Sequence, residues 1–449
     1  MVQPVATVKK SLDFGRYFQT IDSMSPLKAR GHLVEITGLV VKAAVPGVHI
    51  GELCLIKGHY SDKPLRAEVV GFDRNVAKLM PLGEVEGIGL DSEIVPTGMR
   101  LGIKVGFGLL GRVLDGLGDP IDAEVKGELP ADLIDYPMYA APPDPLKRER
   151  VSKPLTVGVR AIDGMLTVGE GQRMGFFAAA GGGKSTLMGM IARNTEADIN
   201  VIALIGERGR EVRDFLEESL GEEGIARSVV VCATSDQPSL VRLKAAYAAT
   251  AVAEYFRDQG KRVLLMMDSV TRFARAQREV GFATGEPPAR GGYTPSVFST
   301  LPKLLERAGN SDKGSITAFY TVLVAGDDLT EPVADEVISI LDGHIVLSRD
   351  LASRGHYPAI EIMTSKSRVM DAVVTKEHKL SARRCLEAWS LYEKEARDLI
   401  NIGEYKQGRN PKLDFAVSKN EAITNFLRQG TYEKAPYQET VQRLMEIVK

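Results

Sequence analysis

Cysteine is scarce in this chain: Cys54, Cys232 and Cys385 lie far apart and form no CxxC pair. An odd, sparse set argues against a disulfide framework and a zinc site, and fits a reducing compartment. The histidines, His32, His49, His59, His344, His356 and His378, show no HExxH or Cys/His ligand spacing. They are read as structural or surface residues. An excess of charge is missing too, since 57 Lys and Arg against 59 Asp and Glu leave a formal net charge of −2. Such a chain has no global attraction for nucleic acid or acidic membrane. No run approaches the roughly 18 consecutive apolar residues of a membrane span. The N-terminus MVQPVATVKKSLDF holds no apolar run of about 7–15 residues, so no secretory leader is expected. The expectation is a soluble cytoplasmic protein.

What is present is globular. An apolar fraction of 44% with 26% charged residues is incompatible with a disordered chain. The 449 residues suggest three parts at roughly 150 residues per domain. Glycine, at 44 of 449 residues, exceeds the usual ~7%, and the excess must sit in turns or ligand loops.

Between about Gly31 and Pro96 the runs HLVEITGLVVKAAV, GELCLIKG, LRAEVVGFD and NVAKLMPL alternate apolar and polar residues between turn signals. That pattern predicts a small β-barrel or sandwich, with a loose β-rich extension as the alternative. GRVLDGLGDPID (111–122) reads as a turn-rich link, and Pro137, Pro142, Pro143, Pro145 and Pro154 mark an extended loop. Strands then alternate with helices. QRMGFFA, NVIALIGE, SVVVCAT, RVLLMMDS and SITAFYTVLVAG are β-rich, whereas STLMGMIARNT, REVRDFLEESLG and SLVRLKAAYAATAVAEYFRDQG have helical spacing. The alternation predicts an α/β core, a mostly parallel sheet with helices on both faces. After about Met370 the segments KLSARRCLEAWSLYEKEARDLINIG and NEAITNFLRQG are helical. The expected divisions are a segment 1–30, a barrel 31–97, a core 98–370 and a helical region 371–449.

The sharpest signal is Ala178-Ala179-Ala180-Gly181-Gly182-Gly183-Lys184-Ser185, followed by Thr186, between a predicted strand and a predicted helix. Small residues let backbone N–H groups curl around phosphate oxygens, and the helix N-terminus adds its dipole. Lys184 is expected at the β/γ-phosphates of ATP and the Ser185 hydroxyl on Mg²⁺. The strict pattern begins with Gly, so Ala178 meets only its relaxed form. RVLLMMDS ends in Asp268, a second anchor for Mg²⁺. Glu207, in GERGREV at the end of NVIALIGE, is placed to orient an attacking water. The alternative is a structural pair with Arg208 or Arg210.

Together AAAGGGKST, GERGREV and VLLMMDSVTRFARAQREVG resemble the catalytic subunits of hexameric rotary-type ATPases. GRVLDGLGDPID, VGVRAIDGMLTVGEGQR and GEPPARGGYTPSVFSTLPKLLERAG narrow this to the type III secretion ATPases, over nearly the whole chain. The resemblance implies a homohexameric ring built from an oligomerising barrel, a P-loop core of RecA type and a helical domain. Active sites would lie between neighbours: Lys184, Ser185, Glu207 and Asp268 from one subunit, and an arginine finger, matched by Arg368 in EIMTSKSRVMD, from the next. Without the resemblance Arg368 reads as a surface or salt-bridged arginine, and Arg349 in IVLSRD is its nearest rival. Tyr357 matches an aromatic flanking adenine; otherwise it is a packed core tyrosine. Glu361 stands where the wider family usually has Asp.

The loop GFATGEPPARGGY (281–293) is expected to be neither strand nor helix, and the resemblance turns it toward a channel holding a coiled-coil stalk protein. Further implied partners are chaperone–cargo complexes, the export gate of the bacterial inner membrane, and a stator or regulator protein at ATVKKSLDFGRYFQTIDSM. The first use considered is protein export. The second, an ATP synthase catalytic subunit, lacks the acidic run expected in its C-terminal helices. The third, an RNA-translocating hexamer, needs a basic, aromatic barrel, but residues 31–96 hold only Tyr60 and Phe72. A binding-only scaffold conflicts with Lys184, Glu207 and Asp268 all being present. The loop AAAGGGKST looks like injectisome members more than flagellar ones.

Overall fold

The computed structural model describes Phe14, Phe18 and residues 29–58, 63–179, 181–325 and 328–449. The expected docking segment at the N-terminus lies almost wholly outside the described residues. The chain forms two compact units, Met1–Met99 and Arg100–Lys449.

The first unit is a barrel of β1 (Gly31–Thr37), β2 (Val40–Ala44), β3 (Glu52–Lys57), β4 (Leu65–Asp73), β5 (Val76–Pro81) and β6 (Glu93–Arg100). It closes in the order β1-β2-β5-β4-β3-β6, with Gly31 opposite Ile94 and His32 opposite Glu93. Alternate residues turn inward, so Leu33, Val41, Ala43, Cys54, Ile56, Val69, Leu79 and Ile94 form one buried cluster. Closure pairs strand edges that an extension would leave open, which overturns the loose-extension alternative. The strand β6, EIVPTGMR, was not among the expected runs, because Pro96 and Gly98 interrupt its alternation.

In the second unit β7 (Gly102–Val105) pairs with β9 (Ile134–Pro137). The large sheet contains β8 (Val113–Asp115), β10 (Arg173–Ala178), β11 (Ile199–Ile205), β12 (Ser228–Ala233), β13 (Arg262–Asp268), β15 (Ser315–Leu323), β16 (Gly343–Leu347) and β17 (Lys366–Ser367). Its order is β17-β16-β10-β15-β13-β11-β12-β8, with β14 (Gly309–Asn310) beside β15. From β16 to β8 all neighbours are parallel. The strands β11 and β12 are buried at every residue, as helices on both faces require. Their carboxyl ends share one edge, where open α/β sheets hold ligands.

Two expectations need correction. GRVLDGLGDPID is more than a link: Val113 lies opposite Val230, so three residues add a strand to the sheet edge. Such a strand is too short to show a period. The segment 281–293 is not all loop either. The helix Val270–Thr284 runs into it and stops at Gly285, whose φ is 98°, and Arg290–Gly292 form a further short turn of helix. Position 281 of that helix is glycine because a Cβ there would meet Thr294 Oγ1 at 2.5 Å.

The helices Lys376–Leu391, Pro411–Leu427 and Tyr437–Ile447 do not form a core of their own. Cys385, Trp389, Ala416, Phe426 and Leu444 belong to the same buried cluster as Phe176, Leu187 and Met266 of the sheet region. The junction is the short helix Arg160–Met165. There a Cβ on Gly164 would lie 2.7 Å from the Phe426 ring, and Arg160 Nε donates to the Phe426 carbonyl at 2.9 Å.

Beneath the sheet, Arg307 and Glu254 form a pair 1% and 2% exposed, and Arg307 also donates to the Met138 carbonyl at 2.8 Å. Removing one partner of a buried pair strands the other charge. Glu254→Ala is expected to lower the unfolding free energy by about 3–5 kcal/mol, measured by denaturant titration of Trp389 fluorescence. The double change Glu254→Leu with Arg307→Met is expected to recover most of that loss.

Candidate functional site

The carboxyl ends of β10, β11 and β13 deliver Ala178, Ile205 and Asp268 to one edge. After β10 the chain passes Ala179, Gly181, Gly182 and Gly183 into the helix Lys184–Asn194; Ala180 lies outside the described residues. Gly181 and Gly183 have φ of 83° and 78°, which side chains disfavour. Ser185 and Thr186 are exposed on the first turn of the helix.

Lys184 is the hub. Its Nζ lies 2.5 Å from Asp268 Oδ1 and 3.7 Å from Glu207 Oε1. Both carboxylates are nearly buried, at 3% and 7% exposure. Arg272 Nε donates to Glu207 Oε1 at 3.2 Å, reaching it from the first turn of the next helix. Gly206, with φ of 68°, makes room, since a Cβ there would come within 2.7 Å of Arg272 Cδ. Arg208 and Arg210 turn instead to Glu211 and Asp214, so the alternative pairing of Glu207 is not the one seen. Arg272 was missed in the sequence, although its position four residues after a strand-ending Asp was a usable signal.

Burial pushes the Glu207 carboxyl up to about 7, and the neighbouring Asp268 charge adds to this, while Lys184 and Arg272 oppose it. A carboxyl balanced near neutrality can exchange a proton with a water in front of it. The oxygen donors on offer, the Asp268 carboxylate and the Ser185 hydroxyl, suit a hard cation. Among the described residues no group of three or more His, Cys, Asp or Glu is placed to hold a metal ion. The donor set therefore fits Mg²⁺ completed by substrate phosphate oxygens, and not an all-protein cage.

Tyr357 joins this site. Its ring atoms lie 3.6 Å from where a Cβ on Gly183 would sit, and at 47% exposure it is no packed core tyrosine. Its carbonyl accepts a hydrogen bond from Gln429 N at 2.9 Å. Glu361 is half-buried, accepts from Met363 N at 3.1 Å, and has its carboxyl raised chiefly by burial.

Arg368 is not brought to this cluster. It follows β17, which pairs with the start of β16, whereas the phosphate loop is level with the end of β16. The separation is roughly 13 Å of strand at ~3.3 Å per residue. Arg368 is exposed and donates to the Ile338 carbonyl at 3.3 Å. Its rival Arg349, also exposed, opens the helix Arg349–Ser353 just past β16, at the same end as the phosphate loop.

Residues 158–367 match the family model "ATP synthase alpha/beta family, nucleotide-binding domain", and 33–98 match the beta-barrel domain of that family. Residues 374–446 match "T3SS EscN ATPase C-terminal domain". The chain is 52% identical over 429 residues to the flagellum-specific ATP synthase of Bacillus subtilis, covering 95% of this chain and 97% of that one. It is 52% identical over 417 residues to the type 3 secretion system ATPase of Xanthomonas euvesicatoria, covering 93% of each. The solved structure of the assembled ATPase EscN from the type III secretion system of enteropathogenic E. coli is 49% identical, with a TM-score of 0.88. It covers 93% of this chain and 100% of that chain. The structure of EscN in complex with its central stalk EscO aligns with a TM-score of 0.86 at 49% identity, over 93% of this chain and 100% of that one.

The raised carboxyl makes stability depend on pH with a defined sign. From about 4.5, the ordinary value, to about 7, the unfolded chain releases the Glu207 proton while the folded chain keeps it. Stability therefore falls across that window as pH rises, and levels off above it. Glu207→Gln is expected to gain in melting temperature relative to wild type between pH 4.5 and pH 7, with a constant gap above. Parallel scanning calorimetry of the two proteins checks this; a gap independent of pH contradicts it.

Proposed function

Because this chain belongs to the family of type III secretion and flagellar export ATPases, a branch of the ATP synthase alpha/beta family, we propose that it hydrolyses Mg·ATP in a ring of identical subunits to drive protein export. The observation that carries the reading is Lys184 held between Asp268 and Glu207 directly beneath the phosphate loop.

Water attacks the γ-phosphorus in line while the bond to the β–γ bridging oxygen breaks and ADP leaves; Glu207 orients the water and takes its proton. Lys184 leaves Asp268 for the β/γ-phosphate oxygens, which the backbone of Ala179, Gly181, Gly182 and Gly183 cradles. Ser185 and Asp268 would hold Mg²⁺, which when bound neutralises charge on the phosphates. Thr186 flanks the phosphates and Tyr357 the adenine ring. Arg368 of each subunit serves the neighbouring site, consistent with its exposure and its distance from its own. Preorganised charge of this kind supplies most of the catalysis in phosphoryl transfer.

The solved structures of assembled EscN, alone and with its central stalk EscO, support an assembled oligomer with a stalk, and a homohexamer is the assembly proposed for this chain. For this chain the proposal is a coiled-coil stalk in the channel, approached by the turn after Thr284. Chaperone–cargo complexes would dock and be released or unfolded, and a stator or regulator protein would bind residues 1–30. No helix among the described residues is long and apolar enough to cross a membrane, in keeping with a cytoplasmic enzyme peripheral to the inner-membrane export gate. Nucleic acid is not a partner. The match of 374–446 to the secretion-type C-terminal domain supports export over ATP synthesis. Relatives from both export systems stand at 52% identity, and the Ala-rich phosphate loop favours the injectisome.

Mg-ATPase activity per subunit is expected to rise steeply with protein concentration. Arg368→Ala is expected to lower the turnover of assembled rings by about 10³-fold; a flat concentration dependence, or normal turnover in the variant, rejects the shared site. In a deletion strain, loss of effector secretion with intact motility is expected. Loss of motility with secretion intact assigns the flagellar system instead.

A further inference from the structure

The strand β15 is buried along eight of its nine residues, yet it carries hydroxyls. A buried hydroxyl without a partner costs about 1–3 kcal/mol; the Tyr320 hydroxyl has none among the described residues, whereas both threonines are paired. Thr317 has a backbone task, accepting from Gly171 N at 2.8 Å. Thr321, 0% exposed, lies beside the end of β13, one residue past the Met267–Tyr320 pair. Its Oγ1 is 2.7 Å from Asp268 Oδ1 and 3.2 Å from the Met267 carbonyl. One proton cannot serve both fully, and the charged, nearer acceptor takes it.

We infer that Thr321 is a positioning residue for Asp268, fixing the carboxylate so that it faces a divalent cation with a defined oxygen. Both Lys184 and Thr321 donate to the same atom, Oδ1, which turns the carboxylate one way around. When Lys184 moves to phosphate, its bond to Asp268 is lost, and the bond from Thr321 keeps the rotamer. The side chain never touches nucleotide; it acts through Asp268. Hydrogen-bond partners of a metal-holding carboxylate typically set metal affinity or activity by 10–100-fold. The inference rests on the reading of Asp268 as a magnesium anchor.

The test is calorimetric titration of ADP into the full-length protein, with Mg²⁺ and with EDTA, for wild type, Thr321→Val, Thr321→Ser and Asp268→Asn. Asp268→Asn is expected to abolish most of the gain in ADP affinity that Mg²⁺ confers. Thr321→Val, of equal size without the hydroxyl, is expected to cut that gain about tenfold while leaving affinity in EDTA unchanged. Thr321→Ser is expected to keep the wild-type gain. If Asp268→Asn retains the full gain, the anchor reading fails and the inference with it. If Asp268→Asn loses the gain but Thr321→Val keeps it, or Thr321→Ser loses as much as Thr321→Val, positioning by the hydroxyl is wrong and the anchor stands. Should Thr321→Val not fold, Thr321→Ala carries the same expectation.

Discussion

The bond between Lys184 and Asp268, 2.5 Å long, is the contact on which the rest of the site depends. It joins the first residue of a helix to the last residue of a strand two places away in the sheet. That meeting requires β10 and β13 to run parallel with β15 between them, so that their ends arrive at one level. It also brings a cation within 3.7 Å of Glu207, offsetting the burial of a second carboxylate. Taking charges out of water costs several kcal/mol each unless they are paired. Lys184 therefore offsets part of the cost of burying two carboxylates, before any substrate arrives.

Around this contact the chain is built from positions where a side chain must be missing or short. Gly206 leaves room for Arg272 to lie along Glu207, and Gly183 accepts the Tyr357 ring alongside its backbone. The phosphate loop turns on two glycines at positive φ. The excess of glycine over the usual level is thus partly explained by chemistry at the site, and otherwise by turns and by close packing as at Gly164 and Gly281.

Legibility from sequence followed the length of the signal. The strands β10 to β13 and β15 were readable because each is a run of six or more residues between helical segments of clear period. The strand β8 was not, because three residues carry no period and it is recruited only by the exposed edge of β12. The strand β6 was hidden by its own Pro96 and Gly98. At the site, the loop, Asp268 and Glu207 stood out through motif and position. Arg272 and Thr321 did not, because their importance lies in contacts across the sheet between residues 65 and 53 positions apart. The helical extension into 281–284 was obscured by glycine, which ordinarily disfavours helix, yet Gly281 is required there by the approach of Thr294.

The shared core between the sheet and the C-terminal helices bears on how members of this family can be recombined. Phe426 rests on Gly164, Arg160 donates to the Phe426 carbonyl, and Gln429 grips the backbone of Arg160 and Gly158 while its N–H holds Tyr357. A chimaera that exchanges the helices at residue 374 alone would cut through this joint, breaking the fit of two surfaces selected together. The transferable unit is discontinuous: the C-terminal helices travel with residues 158–164, and the seam runs through the interior of the protein, away from any linker.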